Sequence, residues 1–169
     1  MAGRGEGGLY RERAARDKAE LEALASRLLR QGGVGAPPVP ANLVAFCDPS
    51  RPVYIFRRRL GWGHRGVVKP SRHGWLILVE ESLSRSAQRF SIFHEAFHVL
   101  QRAQGILPHG GADYQEWLAN AFAARVLMPG PWLEEALRQT ADVDVLAYRF
   151  RVGRAAIEAR LRELTRDGG

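Results

Sequence analysis

Two histidines four residues apart with a glutamate between them, His94-Glu95-Ala96-Phe97-His98, constrain this chain more than any other feature, because their spacing has chemical meaning only on an α-helix. There, positions i and i+4 share one face about a turn apart, so both imidazoles reach one ion at about 2.0 to 2.1 Å. Glu95, one step round the helix, is then placed to hold a water. That is the water-activating half of a metallopeptidase site.

The flanking pattern supports such a helix from Ser84, a candidate N-cap, to Gln104, where Gly105 and then Pro108 end it. On a helical wheel Ile92, Ala96, Val99 and Ala103 share one side, while Phe90, Phe93, Phe97 and Leu100 cover another. The helix is therefore expected to be largely buried. A narrow polar stripe of Ser91, His94, Glu95, His98 and Arg102 lies between those sides, as a cleft-lining face requires.

A length of 169 residues with 46% hydrophobic composition suits one domain with a real core. Cys47, the one cysteine, allows no internal disulfide and reads as a small buried hydrophobe, so the expected compartment is the cytoplasm. The glycine-rich start from Met1 to Gly8 lacks an apolar stretch, and no run of about 18 apolar residues occurs; no membrane partner is expected. The net charge of +7 rests on 25 basic residues, of which only Lys18 and Lys69 are lysines. Arginine suits contact with carboxylates or phosphates, and equally a solvated face.

Along the chain, Leu9 to Arg30 reads as an amphipathic helix closed by Gly32 and Gly33. A Pro-rich connection, Gly35 to Pro40, leads to a short helix over Asn42 to Phe46. Val53 to Phe56, Gly66 to Lys69 and Trp75 to Val79 are β-prone runs separated by turn residues, which predicts a small antiparallel sheet with Trp62 and Trp75 packed in the hairpins. Asp113 to Met128 is a helix stopped by Pro129, and Pro131 starts another. Asp142 to Phe150, the turn Arg151-Val152-Gly153, and Arg154 to Arg166 resemble a helix-turn-helix in spacing. The fold class is thus α+β and mainly helical. Two regions are expected: 9–129, and a C-terminal helical region, 130–166, packed on it.

A catalytic zinc takes three protein ligands and leaves a fourth position for water. Glu116, with Ala119, Asn120 and Ala123 on its helix face, is the candidate third ligand, since small neighbours let two helices approach. The stretch Asp113-Tyr114-Gln115-Glu116 also fits a capping box with Asp113 as N-cap and Glu116 turned back to its amide. Spacing alone leaves both open. Asn120 either hydrogen-bonds a ligand from behind or fills a polar gap.

Two blocks, Gln88-Arg89-Phe90-Ser91-Ile92-Phe93-His94-Glu95-Ala96-Phe97-His98 and Glu116-Trp117-Leu118-Ala119-Asn120-Ala121-Phe122-Ala123-Ala124-Arg125-Val126-Leu127-Met128-Pro129, stand in order. Together they resemble the ImmA/IrrE family of zinc metallopeptidases, a likeness extending over roughly residues 15–165. The resemblance implies a zincin-like fold, His94, His98 and Glu116 as zinc ligands, and Glu95 as the base. It also implies a helix-turn-helix transcriptional repressor as substrate, whose cleavage releases stress-response or mobile-element genes. Phe97 departs from the family, which usually has glycine there. The chain is expected to be a short form without the C-terminal sensor domain of some radiation-response members.

Zn²⁺ suits the imidazole and carboxylate set, and Mn²⁺ or Fe²⁺ also bind such ligands. His109, Tyr114 and Tyr148 are candidate donors to a tetrahedral oxyanion, while His64, His73 and His109 lie in turns where solvated side chains are expected. Two rival readings remain. The C-terminal helix pair could bind DNA directly, or Phe97 could leave a zinc-binding but proteolytically silent protein.

Overall fold

The computed structural model describes residues 5–167, with side chains from Tyr10 to Arg166. Residues 1–4 of the glycine-rich start and the two final glycines lie outside them. Helix α1 (Gly5–Gln31) buries Leu21, Leu24, Ala25, Leu28 and Leu29 and ends where glycine was expected to end it. The Gly32 amide donates to Leu28 O at 3.0 Å, and Gly33 adopts φ 65°. A 3-10 helix follows (Ala41–Cys47), burying Leu43, Val44 and Cys47. Burial, and then the nearby Asp48 charge, pushes the Cys47 thiol up to about 12, so it packs as the hydrophobe its sequence context suggested.

The sheet corrects one expectation. Strands β1 (Val53–Arg58), β2 (Gly66–Ser71) and β3 (Gly74–Glu80) run in the order β1-β3-β2, and β1 pairs with β3 in parallel. Only β2 and β3 are antiparallel, joined by the tight turn at Arg72 and His73. The loop 59–65 carries the chain past the central slot, which goes to the most apolar strand. Trp75, Ile77 and Val79 are buried there, while the edge strands carry Arg57, Arg58 and Lys69.

Gly74 makes the parallel neighbour possible: at φ 148°, a Cβ there would stand 2.2 Å from Pro52 O. Trp75 packs as expected, with Nε1 donating to Asp48 at 2.8 Å. Trp62 does not; it stands fully exposed on the 59–65 loop. That loop is held by Glu80, whose carboxylate accepts from Ser82 N at 2.9 Å and Leu60 N at 2.7 Å. Those amides bring the Glu80 carboxyl down to about 2.

Helix α2 (Arg85–Gln104) starts at Ser84, whose Oγ accepts from Ala87 N, and stops at Gly105 with φ 65°. Helices α3 (Ala112–Leu127), α4 (Gly130–Leu137), α5 (Val143–Phe150) and α6 (Arg154–Asp167) complete the chain. Leu133, Leu146, Phe150 and Ile157 join the same core as Phe93, Phe97 and Phe122.

An ion-pair network fastens α6 to the rest. Glu163 accepts from Arg125 Nη2 at 2.6 Å and Arg160 Nη1 at 2.7 Å, and Glu22 of α1 lies 3.3 and 3.2 Å from the same two arginines. Arg125 and Arg160 have side chains only 2% exposed, so neither charge is solvated if its partner is lost. Burial alone would raise Glu163, yet the two guanidiniums prevail and hold its carboxyl down at about 2.

A depressed folded-state value means stability that is complete above the ordinary carboxylate range and lost as pH falls toward 2. Glu163→Gln should therefore cost roughly 2 kcal/mol at pH 7, and should flatten the fall in Tm between about pH 5 and 2. Calorimetric melting of both proteins across that range checks it, and parallel curves would refute the network's role.

Candidate metal centre

The α2–α3 interface determines what the site residues can reach. Ala96, Ala119 and Ala123 are fully buried, and the rings of Phe97 and Phe122 meet with centroids 5.4 Å apart. Phe97 thus fills the core. Side chains this small let the next residues round each helix face one another.

His94 and His98 of α2 meet Glu116 of α3 there. His94 Nε2 lies 3.1 Å from one Glu116 oxygen and His98 Nε2 lies 3.4 Å from the other. A ligand atom from each of the three residues lies within 4.8 Å of the others. The capping alternative for Glu116 is not realised: α3 begins two residues earlier than that box requires, with Gly111 at the cap position and no side-chain cap bond.

Both imidazoles are oriented from behind. Asn120 Oδ1 lies 2.9 Å from His94 Nδ1, and Gln101 Oε1 lies 3.1 Å from His98 Nδ1. An amide oxygen only accepts, so each Nδ1 carries the proton and each Nε2 presents a lone pair. Burial lowers the His98 value further, favouring that neutral form.

Gln101 is itself held. Its Nε2 donates to Leu107 O at 3.3 Å and to Gln115 Oε1, and Gln115 Nε2 donates to Leu107 O at 3.1 Å and to His109 O. A relay of amides therefore runs from His98 into the α2–α3 connection. It fixes the ring through bonds that no local pattern announced.

Glu95 lies against the sheet. It is 7% exposed, and a Cβ on Gly66 of β2 would come within 3.0 Å of its Cγ and Oε1. Only glycine admits the carboxylate so close. Burial raises the Glu95 carboxyl above its ordinary range, Glu116 adds to that, and His94, Arg102 and the Val68 amide oppose it. A cleft of about 420 Å³ opens over these groups, with His64, Arg65 and Gly66 on one wall and Phe90, Ser91 and Asn120 on the other.

The three expected oxyanion donors do not line this cleft. His109 Nε2 and Tyr114 OH both donate to Asp17 of α1, at 2.7 and 2.5 Å, and Asp17 is 4% exposed. Burial, and then the bond to that carboxylate, pushes Tyr114 above its ordinary range. Tyr148 stands 85% exposed on α5. His64, read from the sequence as a solvated turn residue, is the histidine that the 59–65 loop brings to the site.

No curated protein is significantly similar to the chain. Among solved structures, a Mycobacterium tuberculosis transcriptional regulator shares the fold with a TM-score of 0.65 at 20% identity, over 87% of this chain and 48% of that one. The chain therefore spans about half of that regulator's length. The model of the peptidase family described as the IrrE N-terminal-like domain matches residues 50–162. With both helices of the centre and all three strands inside that match, the chain belongs to the IrrE N-terminal-like metallopeptidase family.

Proposed function

We propose that the protein is a cytoplasmic zinc-dependent endopeptidase that cleaves a helix-turn-helix transcriptional repressor, and so derepresses stress-response or mobile-element genes. The observation that carries the reading is the orientation of three acceptors toward one point. Two imidazole lone pairs facing a carboxylate repel it unless a cation lies between them. The donor set also fits zinc in size: ligands about 2.0 to 2.1 Å from a tetrahedral ion stand about 3.3 Å from each other, and the observed 3.1 and 3.4 Å bracket that edge. Mn²⁺ or Fe²⁺ is accommodated by the same groups.

His94, His98 and Glu116 hold the ion in this proposal, Asn120 and Gln101 orient the imidazoles, and residues 130–166 brace the region 9–129 that does the chemistry. A bound zinc supplies a Lewis acid and brings the pKa of water toward neutrality. Glu95, raised by burial, accepts a proton from the attacking water and returns it to the leaving amine. His64 replaces the three earlier candidates as donor to the oxyanion, because it lines the cleft and they do not.

Neither rival gains an observation. On α6, Arg154 pairs with Asp144 at 2.7 Å and Glu158 at 3.0 Å, and Arg160 is buried in the Glu163 network, so these two arginines are engaged within the protein. The silent-scaffold reading rested on Phe97, which packs on Phe122 away from the cleft.

Glu95→Gln should retain the metal stoichiometry and lose cleavage of a cognate repressor, read as fragment masses with and without chelator; continued cleavage by that variant would overturn the assignment. Asn120→Ala and Gln101→Ala should each weaken zinc binding about 10- to 100-fold while the helices remain intact, as competition with a chromophoric chelator measures. His64→Ala should lower kcat on the order of a hundredfold with KM little changed. A pure KM effect would instead make His64 a binding residue.

A further inference from the structure

A second cleft, of about 870 Å³, lies between the start of α2, β1 and the α5–α6 turn. Arg85 and Arg89 each stand nine residues before a candidate ligand, His94 and His98 respectively. Nine residues of helix make about two and a half turns, so this cleft is on the side of α2 away from the metal centre.

Arg57, Arg85, Arg89 and Arg151 line it, and no carboxylate does. Among the described residues none of the four pairs with an acidic group. Arg57 donates to the neutral Gln88 at 2.7 Å. Arg89 is locked by two carbonyls, Arg151 O at 3.2 Å and Val39 O at 2.6 Å, which leaves its Nη1 without a protein partner among the described residues. Elsewhere the buried arginines, Arg125 and Arg160, are neutralised by Glu22 and Glu163.

Three local costs converge on this one place. Arg85 opens a 20-residue helix whose first turn holds no acid, so a cation sits where the helix dipole favours an anion. Arg89 and Arg151 repel each other, and burial together with that repulsion lowers the Arg89 value. Arg151 also adopts φ 52° as the cap of α5, a conformation that glycine takes freely and arginine does not. None of the three helps folding, and one bound polyanion relieves the two electrostatic ones while giving the third a use.

We propose that this cleft is a binding site for a nucleoside polyphosphate: the four guanidiniums hold the phosphate chain and Tyr148 stacks on the base. The concave wall and the volume suit a compact ligand, and guanidinium forks match phosphate oxygens in pairs. Tyr148, 85% exposed at the rim, offers an aromatic face beside that charge. The site is independent of the peptidase reading, since it shares no residue with the metal centre.

Titration calorimetry of the full chain with ATP, inorganic tripolyphosphate and a short duplex DNA tests it. ATP should bind saturably, with tripolyphosphate at least threefold weaker. Tyr148→Ala should bring ATP down to the tripolyphosphate level. Arg85→Gln should lose at least tenfold for both ligands. Arg151→Gly guards against misfolding as an explanation, because it relieves the strained cap: its Tm should rise while ATP binding falls at least tenfold. The proposal is overturned if ATP does not bind at millimolar concentration, if binding survives Arg85→Gln and Arg151→Gly, or if duplex DNA binds through these arginines in preference to ATP.

Discussion

Close approach between α2 and α3 is the constraint from which the site follows. Carboxylate and imidazole side chains are short, so Glu116 reaches His94 and His98 only where the helix axes come near each other. Ala96, Ala119 and Ala123 allow that nearness, and the Phe97–Phe122 contact maintains it. Each fully buried phenylalanine contributes roughly 2 to 3 kcal/mol of burial, which keeps the two helices at that separation. The core can therefore hold the three acceptors facing one another. Glycine at position 97 would surrender that contact, so phenylalanine there strengthens the scaffold.

Orientation is a separate matter from proximity, and it is achieved by hydrogen bonds at the back of each ring. Asn120 and Gln101 dictate which nitrogen carries the proton, and the Gln115 amide ties Gln101 to the carbonyls of Leu107 and His109. His109 and Tyr114 in turn grip Asp17 of α1. A helix distant in sequence thus anchors the connection that positions a candidate ligand. The Gln101 and Gln115 amides are only partly buried, so water can replace a lost partner, and the chain acts by fixing geometry more than by adding stability.

Much of this was legible because it is local. Periodicity placed α2 within a residue of its ends, since Ser84 and Gly105 are caps whose chemistry is contained in a few neighbouring atoms. Gln101 was missed, although it stands only three residues beyond His98, because its role depends on Gln115 and Leu107 across the α2–α3 connection. What sequence did not reveal depends on chain paths. The parallel pairing of β1 with β3 arises from competition for a central slot, and adjacent β-prone runs look the same whichever way they are ordered. His64 resembled any turn histidine until the 59–65 loop was seen to be pinned by Glu80, and Asp17 lies 92 residues from His109.

The position of Gly66 joins both kinds of information. As a sequence letter it marks a strand's start; in the fold it is the gap that lets Glu95 lie against the sheet with its carboxylate withdrawn from water. A methyl group there would have to displace either the strand or the acid. Displacing the acid outward would solvate it and return its affinity for protons toward that of an ordinary carboxylate. The raised proton affinity of Glu95 is thus a consequence of strand packing as much as of the helix that carries it, which is why the proposed base role of a five-residue motif needs this sheet behind it.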